Sequence, residues 1–332
     1  MSAPPAWRIV SNPDDLEEGL FGQVLLWIFE ILPWLDAHGI QPEWEIYSPL
    51  YGKGPGRPVL PGVFDLAYAP ASPATRSRSL LWTRVFHTSA LGGDWAGTHA
   101  LWTRYFRVPA RIEAQADAVG LPGDCLGLHY RGTDKNRQSI DTNAVSADDF
   151  LTLAAAFIAR RPDLRAIFVA SDEPGLLAKA IDRFPSMDVR GLGDVAFHKA
   201  ADSRGDPGKA DRALLDCVLL SRCRTVLKCS SALSGFAKVL KPELECYRVA
   251  ACKMFGDIPY FPDAYVPRLT LDDPAAAEIL ARQFADDWLD DPQARARWLT
   301  PFVGRRRYGF GRIGLNALKY GVSVLLGKPR KA

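Results

Sequence analysis

The chain has 332 residues, of which 48% are hydrophobic and 24% charged, and this ordinary globular composition excludes the disordered and fibrous classes. Its formal net charge of +3 is too small to indicate nucleic-acid binding, so no nucleic-acid partner is expected. The six cysteines show no CxxC pair and no zinc-ligand spacing; we expect buried thiols in a reducing compartment and no metal site. Because neither a signal-peptide pattern nor a run of 18 apolar residues is present, a cytoplasmic protein is expected.

The length favours two domains, and the first is predicted over residues 1–121. A helix is expected over 19–40, disturbed at Pro33, because proline removes a helical hydrogen bond. A strand is expected over 44–49. Seven of the nine tryptophans lie in this part; most are expected in its core, although such rings also suit sugar stacking. The stretch LPGD at 121–124 is the expected boundary.

Beyond this boundary, over 122–270, short apolar runs alternate with helical patterns. The strands are predicted at 125–130, 165–171, 187–192, 225–229 and 245–249, and the helices at 146–161, 173–184, 209–223 and 231–240. This alternation predicts a parallel sheet with helices on both of its faces.

Helix starts carry capping signals. Ser146 is expected to cap its helix, and Pro174 is expected near the first turn of the next one. A last helix should begin at Asp272 or Asp273 with Pro274 just inside it.

Polar clusters follow three of the predicted strands: HYRGTDK (129–135), SDE (171–173) and CSS (229–231). In parallel sheets of this type, ligands bind beyond the carboxyl ends of the strands. Because these ends meet at one edge, we expect the three clusters to lie close together. The sequence therefore predicts a ligand site at this edge.

The first cluster suits phosphate binding. Arg131 offers a charged fork, Lys135 a second charge, and Gly132 allows close backbone approach. Asp134 can accept from a hydroxyl group or orient Arg131, and His129 is either a ligand contact or a hydrogen-bonded structural histidine. The alternative is a solvated surface loop in which an Arg–Asp ion pair only holds the loop itself. Exposed ion pairs of this kind are common and contribute little to stability. The position at a strand end favours function.

The other clusters leave alternatives open. Ser230 and Ser231 lie where a strand turns into a helix, which forms either an anion site or a simple N-cap. Asp172 and Glu173 can accept from ribose or base donors, although helix N-termini attract carboxylates in any case. Asp216, inside an apolar helix, either supports the loops at the sheet edge through a hydrogen bond, which we favour, or faces solvent.

The motif H-Y-R-G-T-D-K (129–135) resembles the first signature, H-x-R-R/G-x-D, of the fucosyltransferase superfamily that uses GDP-fucose. Within this superfamily it resembles the branch of the nodulation and core α1,6-fucosyltransferases, which share the T-D-K continuation or a close form. The later elements have the same order, with A-S-D-E at 170–173, L-L-D-C-V-L-L at 214–220 and S-S at 230–231. The resemblance covers about residues 125–250.

This resemblance implies a GT-B-like α/β fold, with two Rossmann-like domains and the active site in the cleft between them. It also implies a metal-independent, inverting transfer of L-fucose from GDP-fucose to a glycan or lipid-linked saccharide, with the N-terminal domain on the acceptor side. Carried over residue by residue, it places Arg131 at the donor diphosphate, Asp172 and Asp216 near the guanosine, and Ser230 or Ser231 at the phosphates. It places Asp134 and Lys135, with Arg131, at the chemistry. His129 and Gly132 of the same motif are also expected at the donor, and Asp141, nearby in the sequence, is a further candidate catalytic residue.

Two positions depart from the pattern of this branch. Gly132 stands where a second arginine is usual, and Ser139 stands where the core α1,6 enzymes have a glutamate, the expected base. Asp134 or Asp141 would then take the proton. These departures leave open a different donor or linkage and a non-catalytic nucleotide- or glycan-binding relative. A phosphate-binding enzyme of another α/β class is a further alternative.

The C-terminal part, 271–332, ends in a segment, 304–332, in which basic and apolar residues alternate. A helix of this composition can lie on an anionic bilayer, as a lipid-linked or envelope-polysaccharide acceptor would require. The alternative is a helix packed across the two domains, followed by a solvated tail. The glycines at 309, 311, 314 and 321 weaken either helix.

Overall fold

The structure is a computed structural model of the chain. It describes residues 6–11, 20–23, 29–48, 51, 58–70, 76–82, 94–133, 142–193, 206, 208–250, 254–255, 258–259 and 268–285. The predicted site residues Asp134, Lys135 and Asp141 and the segment 304–332 lie outside these ranges.

Strands and helices alternate along most of the described chain. The strands are β1 (Ala6–Ser11), β2 (Gln41–Glu45), β3 (Asp65–Leu66), β4 (Arg76–Trp82), β5 (Phe106–Arg107), β6 (Cys125–Tyr130), β7 (Ala166–Ser171), β8 (Asp188–Gly191), β9 (Thr225–Lys228), β10 (Glu245–Arg248), β11 (Met254–Phe255) and β12 (Ile258–Pro259). The helices are α1 (Leu20–Gln23), α2 (Phe29–Ala37), α3 (Trp95–Tyr105), α4 (Ala110–Val119), α5 (Ala147–Ala159), α6 (Leu176–Arg183), α7 (Lys209–Arg222), α8 (Ala232–Leu240) and α9 (Pro274–Phe284).

The first sheet has three parallel strands in the order β2-β1-β4. Strand β2 begins earlier than the predicted 44–49, because its pairing with β1 starts at Gln41, opposite Ala6. Helix α2 continues through Pro33, so the proline does not end the helix. Pro33 is the fifth residue of α2, so its missing N–H removes only the bond to the carbonyl of the first residue, Phe29.

The second sheet has five parallel strands in the order β10-β9-β6-β7-β8. Numbered within this sheet, the strands follow the doubly wound order 3-2-1-4-5. The direction of winding therefore reverses between β6 and β9. With two parallel sheets, the expected α/β, Rossmann-like class is confirmed, and the GT-B-like arrangement with a site between two domains stays a prediction.

Helices cover both faces of the second sheet, as predicted. All six residues of β6 are buried, which is typical of a parallel strand between two helical layers. Leu126, Leu128 and Tyr130 belong to one hydrophobic cluster, with residues of α5 and α9. Cys125 belongs to a second cluster, with residues of α7 and α8. The five cysteines in the described part of the chain are buried and free, which agrees with the expected thiols.

Two helix starts confirm the capping signals. The Ser146 hydroxyl accepts a hydrogen bond from the Asp149 amide at 3.0 Å. Asp273, rather than its neighbour, caps α9 by accepting from the Ala276 amide at 2.9 Å, with Pro274 as the first helical residue. In both cases the cap satisfies one of the amides that a helix start leaves unpaired.

The predicted start of α6 was wrong. Helix α6 begins at Leu176 and not at residue 173, so Pro174 lies before the helix. Gly175 precedes the first turn with φ +84°, a left-handed conformation that glycine adopts without steric cost. The chain between β7 and α6 is therefore a tight turn that leaves residues 172 and 173 at the strand end.

An aromatic cluster connects the N-terminal part of the chain to the second sheet. Trp102 stacks on Phe106, with 4.5 Å between ring centroids, and meets Phe64 and Phe236 edge-on at 4.7 and 4.8 Å. Phe236 belongs to α8, whereas the other three rings precede residue 121. Trp102 is 1% exposed, as the core interpretation of the tryptophans predicts. The exact domain boundaries, 1–121, 122–270 and 271–332, stay a prediction.

Among the described helices, none has the length and apolar character that a bilayer-spanning segment requires.

The aromatic cluster gives a test of the packing between α3 and α8. Phe236→Ala should lower the free energy of unfolding by about 3–5 kcal/mol, because it leaves a cavity among fully buried rings. Urea denaturation followed by tryptophan fluorescence measures the loss. Ile181→Ala, which truncates a side chain that is 48% exposed, is the control. A loss for Phe236→Ala no larger than that of the control would contradict the packing described.

Candidate functional site at the carboxyl edge of the second sheet

The three polar clusters do lie at the same edge of the second sheet. His129, near the end of β6, is paired in register with Lys228, the last residue of β9. On the other side of β6, Tyr130 is paired with Ser171, the last residue of β7. The ends of β6 and β9 flank the point where the winding reverses, which is where ligands bind in doubly wound sheets. We therefore take this edge as the candidate site.

Asp172 organises the turn that follows β6. Its Oδ1 accepts a hydrogen bond from the Gly132 amide at 2.9 Å. Its Oδ2 accepts from Arg131 Nε at 2.7 Å and from the Thr133 hydroxyl at 2.6 Å. Charge-assisted bonds of this length are among the stronger ones in proteins. Because Asp172 is 6% exposed and bonded to three consecutive residues, its carboxylate positions the turn.

The ion pair with Asp172 sets the direction of the Arg131 guanidinium. The Arg131 side chain is 15% exposed and its partner 7% exposed, so the pair is largely shielded from solvent. A guanidinium held through Nε keeps the plane of its remaining N–H groups fixed, which suits recognition of a planar or tetrahedral anion. This arrangement agrees with the predicted role of Arg131, which stays a prediction in the absence of a ligand.

His129 connects β6 to α8. Its Nδ1 lies 2.7 Å from the Ser234 hydroxyl, and the residue is 3% exposed. Burial, together with the positive charges of Arg131 and Lys228, holds the pKa of His129 well below its ordinary value, so the imidazole is neutral. Of the two alternatives, the described geometry gives His129 a structural hydrogen bond, and a ligand contact stays a prediction.

Ser230 and Ser231 lie at the start of α8 and are 0% and 2% exposed. Ser231 is the N-cap residue by position, with extended φ and ψ of −156° and 134°, but its hydroxyl does not cap the helix. The amides at the start of α8 and the positive end of its dipole point toward the same edge as Arg131. This geometry suits an anion, the role predicted for the two serines.

Asp216 differs from its predicted environment. It lies near the middle of α7, is half-buried, and makes neither a hydrogen bond nor an ion pair among the described residues. The favoured hydrogen bond to the loops at the edge is thus not found in this part of the chain. Burial raises the pKa of Asp216 to about 7. The carboxyl group is thus without a protein partner among the described residues and is still partly accessible to solvent.

Glu173 lies at the same edge, where the sequence left open either acceptance from a ribose or base donor or attraction to a helix N-terminus. A Cβ atom placed on Gly132 would lie 2.8 Å from the Glu173 Cβ and would overlap the Glu173 carboxylate. Residue 132 must therefore be glycine as long as Glu173 occupies this volume. In the sequence, only the two consecutive carboxylates at 172 and 173 could have indicated this contact. The directions of their side chains depend on how β6 and β7 pair.

A double-mutant cycle tests the contact between residues 132 and 173. Gly132→Ala should lower the free energy of unfolding by about 1–3 kcal/mol, because the added methyl group overlaps Glu173. In a Glu173→Gly background the same substitution should cost much less. Chemical denaturation of the four proteins gives the coupling free energy.

Gly123→Ala is the matched control for this cycle, since a Cβ at residue 123 would meet no atom within 4 Å. Equal costs of Gly132→Ala in both backgrounds would contradict the contact.

The raised pKa of Asp216 predicts a pH-dependent stability. Because the folded protein favours the protonated carboxyl, the unfavourable contribution of Asp216 is absent below pH 4 and grows as pH rises toward about 7. Asp216→Asn should therefore raise the melting temperature more at pH 8 than at pH 5. Differential scanning calorimetry at both pH values measures this, with Asp182→Asn, at an exposed position, as the control. An effect independent of pH would contradict the prediction.

Comparisons with known proteins give structural likenesses only. No protein-family model matches the chain, and no curated protein matches it. Among solved structures, it is similar to a NodZ α-1,6-fucosyltransferase soaked with GDP-fucose, at 16% identity and a TM-score of 0.47, over 71% of this chain and 92% of that one. It is also similar to POFUT1 in complex with GDP, at 12% identity and a TM-score of 0.46, over 73% and 96% of the two chains. A third likeness is to an Arabidopsis thaliana FUT1 mutant in complex with GDP, at 8% identity and a TM-score of 0.46, over 75% and 71%.

Proposed function

We propose that this protein is a glycosyltransferase that takes L-fucose from GDP-fucose and transfers it to a hydroxyl group of a glycan or lipid-linked saccharide. The observation that carries the proposal is the Arg131–Asp172 pair, held at the reversal point of a doubly wound sheet and at the same edge as the start of α8. The choice of GDP-fucose comes from the H-Y-R-G-T-D-K motif at 129–135.

The donor diphosphate would bind between Arg131 and the amides at the start of α8. Arg131 supplies a fixed positive charge, and the helix start supplies amide donors and the positive end of its dipole. Ser230 and Ser231 would add hydroxyl groups at the same place. Asp216, on α7, would accept a hydrogen bond from a donor group of the nucleotide.

The transfer breaks the bond between the anomeric carbon and the diphosphate oxygen, while the acceptor oxygen attacks from the opposite face and inverts the configuration. The leaving diphosphate gains negative charge, and fixed cations and amides can stabilise it without a metal ion. Arg131, Lys135 and the start of α8 are the groups proposed for this role. The proton of the acceptor hydroxyl would pass to a carboxylate, for which Asp134 and Asp141 are the candidates.

The acceptor would lie on the side of the N-terminal domain, in the cleft between the two Rossmann-like domains. An acceptor for polysaccharide biosynthesis on the cytoplasmic side of a membrane would suit the basic and apolar segment 304–332, which would contact anionic lipids there.

A non-catalytic relative that only binds a nucleotide or glycan is the second candidate. The observation that favours it is the Glu173 side chain beside Gly132, which places a negative charge where the nodulation and core α1,6-fucosyltransferases usually have a second arginine. A site with fewer positive charges stabilises a leaving diphosphate less. Binding without turnover would then be the expected behaviour.

Calorimetric titration with GDP, GDP-fucose, GDP-mannose and UDP-glucose tests the proposal. GDP and GDP-fucose should bind, and Arg131→Ala should weaken both by about tenfold or more, the loss expected for charged hydrogen bonds. Arg183→Ala, at an exposed position on α6, should leave binding unchanged. Failure of the wild-type protein to bind guanine nucleotides, with stabilisation by another nucleotide, would indicate a different α/β enzyme class.

Hydrolysis of GDP-fucose separates the two candidates. Slow release of fucose by the wild-type protein, reduced in Arg131→Ala, supports a transferase. Tight GDP binding with neither hydrolysis nor transfer to any glycan supports the binding relative.

A further inference from the structure

Two consecutive carboxylates follow β7, and the structure gives them different surroundings. Asp172 is buried, and its oxygens accept from residues 131, 132 and 133 of the turn after β6. Glu173 is half-buried, and its side chain extends over the backbone of Gly132. The first carboxylate therefore holds the turn, whereas the second lies on its surface.

The Glu173 carboxylate is not part of an ion pair with any described residue. Arg131, the arginine of this turn, pairs with Asp172. Tyr130 lies near Glu173 and is affected by its charge, but the hydroxyl proton of Tyr130 is donated to the Val145 carbonyl at 3.0 Å. Burial, with nearby negative charges that include Glu173, raises the pKa of Tyr130, so its hydroxyl stays protonated. Glu173 thus retains acceptor capacity at the edge of the site.

This position determines which ligand groups Glu173 can contact. A carboxylate only accepts hydrogen bonds, and it repels phosphate. A nucleotide sugar with its diphosphate at Arg131 carries hydroxyl groups on both sides of the phosphates, on the ribose and on the transferred sugar. Either hydroxyl set can donate to a carboxylate that adjoins the phosphate-binding turn.

We propose that Glu173 is a specificity-determining residue of this site, which accepts a hydrogen bond from a sugar hydroxyl of the bound nucleotide sugar. The proposal rests on the proposed function. Gly132 makes the arrangement possible, because any side chain at residue 132 would overlap Glu173. The chain thus has a hydroxyl acceptor in place of a second cation at this turn.

Glu173 is not placed to act as the base of the transfer. In an inverting transfer, the attacking hydroxyl lies on the face of the sugar opposite the diphosphate. Glu173 adjoins the turn that holds Arg131, on the diphosphate side. The test therefore measures binding of donor analogues rather than turnover.

The experiment compares wild-type protein with Glu173→Gln and Glu173→Ala by calorimetric titration with GDP, 2′,3′-dideoxy-GDP and GDP-fucose. Loss of a hydrogen bond to a charged group should weaken binding about tenfold to a hundredfold. If a ribose hydroxyl is the donor, GDP and GDP-fucose both weaken, and dideoxy-GDP binds equally to wild type and variants. If the transferred sugar is the donor, GDP binding is unchanged and only GDP-fucose weakens. Either result supports the proposal.

Glu243→Ala, which removes an exposed carboxylate elsewhere, is the control, and circular dichroism verifies that each variant is folded. Unchanged or tighter binding of all three ligands by both variants, while Arg131→Ala weakens GDP, would overturn the role of Glu173 and leave the proposed function intact. Absence of guanine-nucleotide binding by the wild-type protein would overturn both.

Discussion

The candidate site depends on one carboxylate, that of Asp172, which lies at the end of β7 and holds the turn at the end of β6. Its three hydrogen bonds set the direction of the Arg131 guanidinium and bring the Gly132 backbone close to β7. The Glu173 side chain lies over the Gly132 backbone and fills the space that a side chain at residue 132 would need. The positions of the Arg131 guanidinium and of the Glu173 carboxylate thus both depend on the turn that Asp172 holds.

The doubly wound order of the second sheet determines what lies opposite this turn. Strand β9 is the neighbour of β6, so the start of α8 is at the same edge. The hydrogen bond between His129 and Ser234 connects β6 to α8. A neutral histidine is suited to this role, since a charged one would add to the positive charges of Arg131 and Lys228. The Phe236 ring then packs α8 against the N-terminal part of the chain.

The sequence predicted the second sheet much better than the first. Each strand of the second sheet is a short apolar run between helical patterns, so local composition predicts its position to within one or two residues. Strands β1 and β4 are not marked by helical patterns on both sides. They are about 70 residues apart in the chain, and their pairing is seen only in the tertiary structure. The wrong start of α6 concerns Pro174, whose effect depends on its place relative to the first helical turn rather than on the residue alone.

The sequence by itself determined the chemical types at the site and their placement after strands, because strand ends and helix starts follow from local patterns. Only the tertiary structure decided which groups face each other. Whether Asp172 contacts a ligand or the turn, whether Glu173 has room beside Gly132, and whether Asp216 has a partner depend on strand pairing and helix packing. Those contacts join residues far apart in the chain, and the strength of each depends on the burial that packing creates.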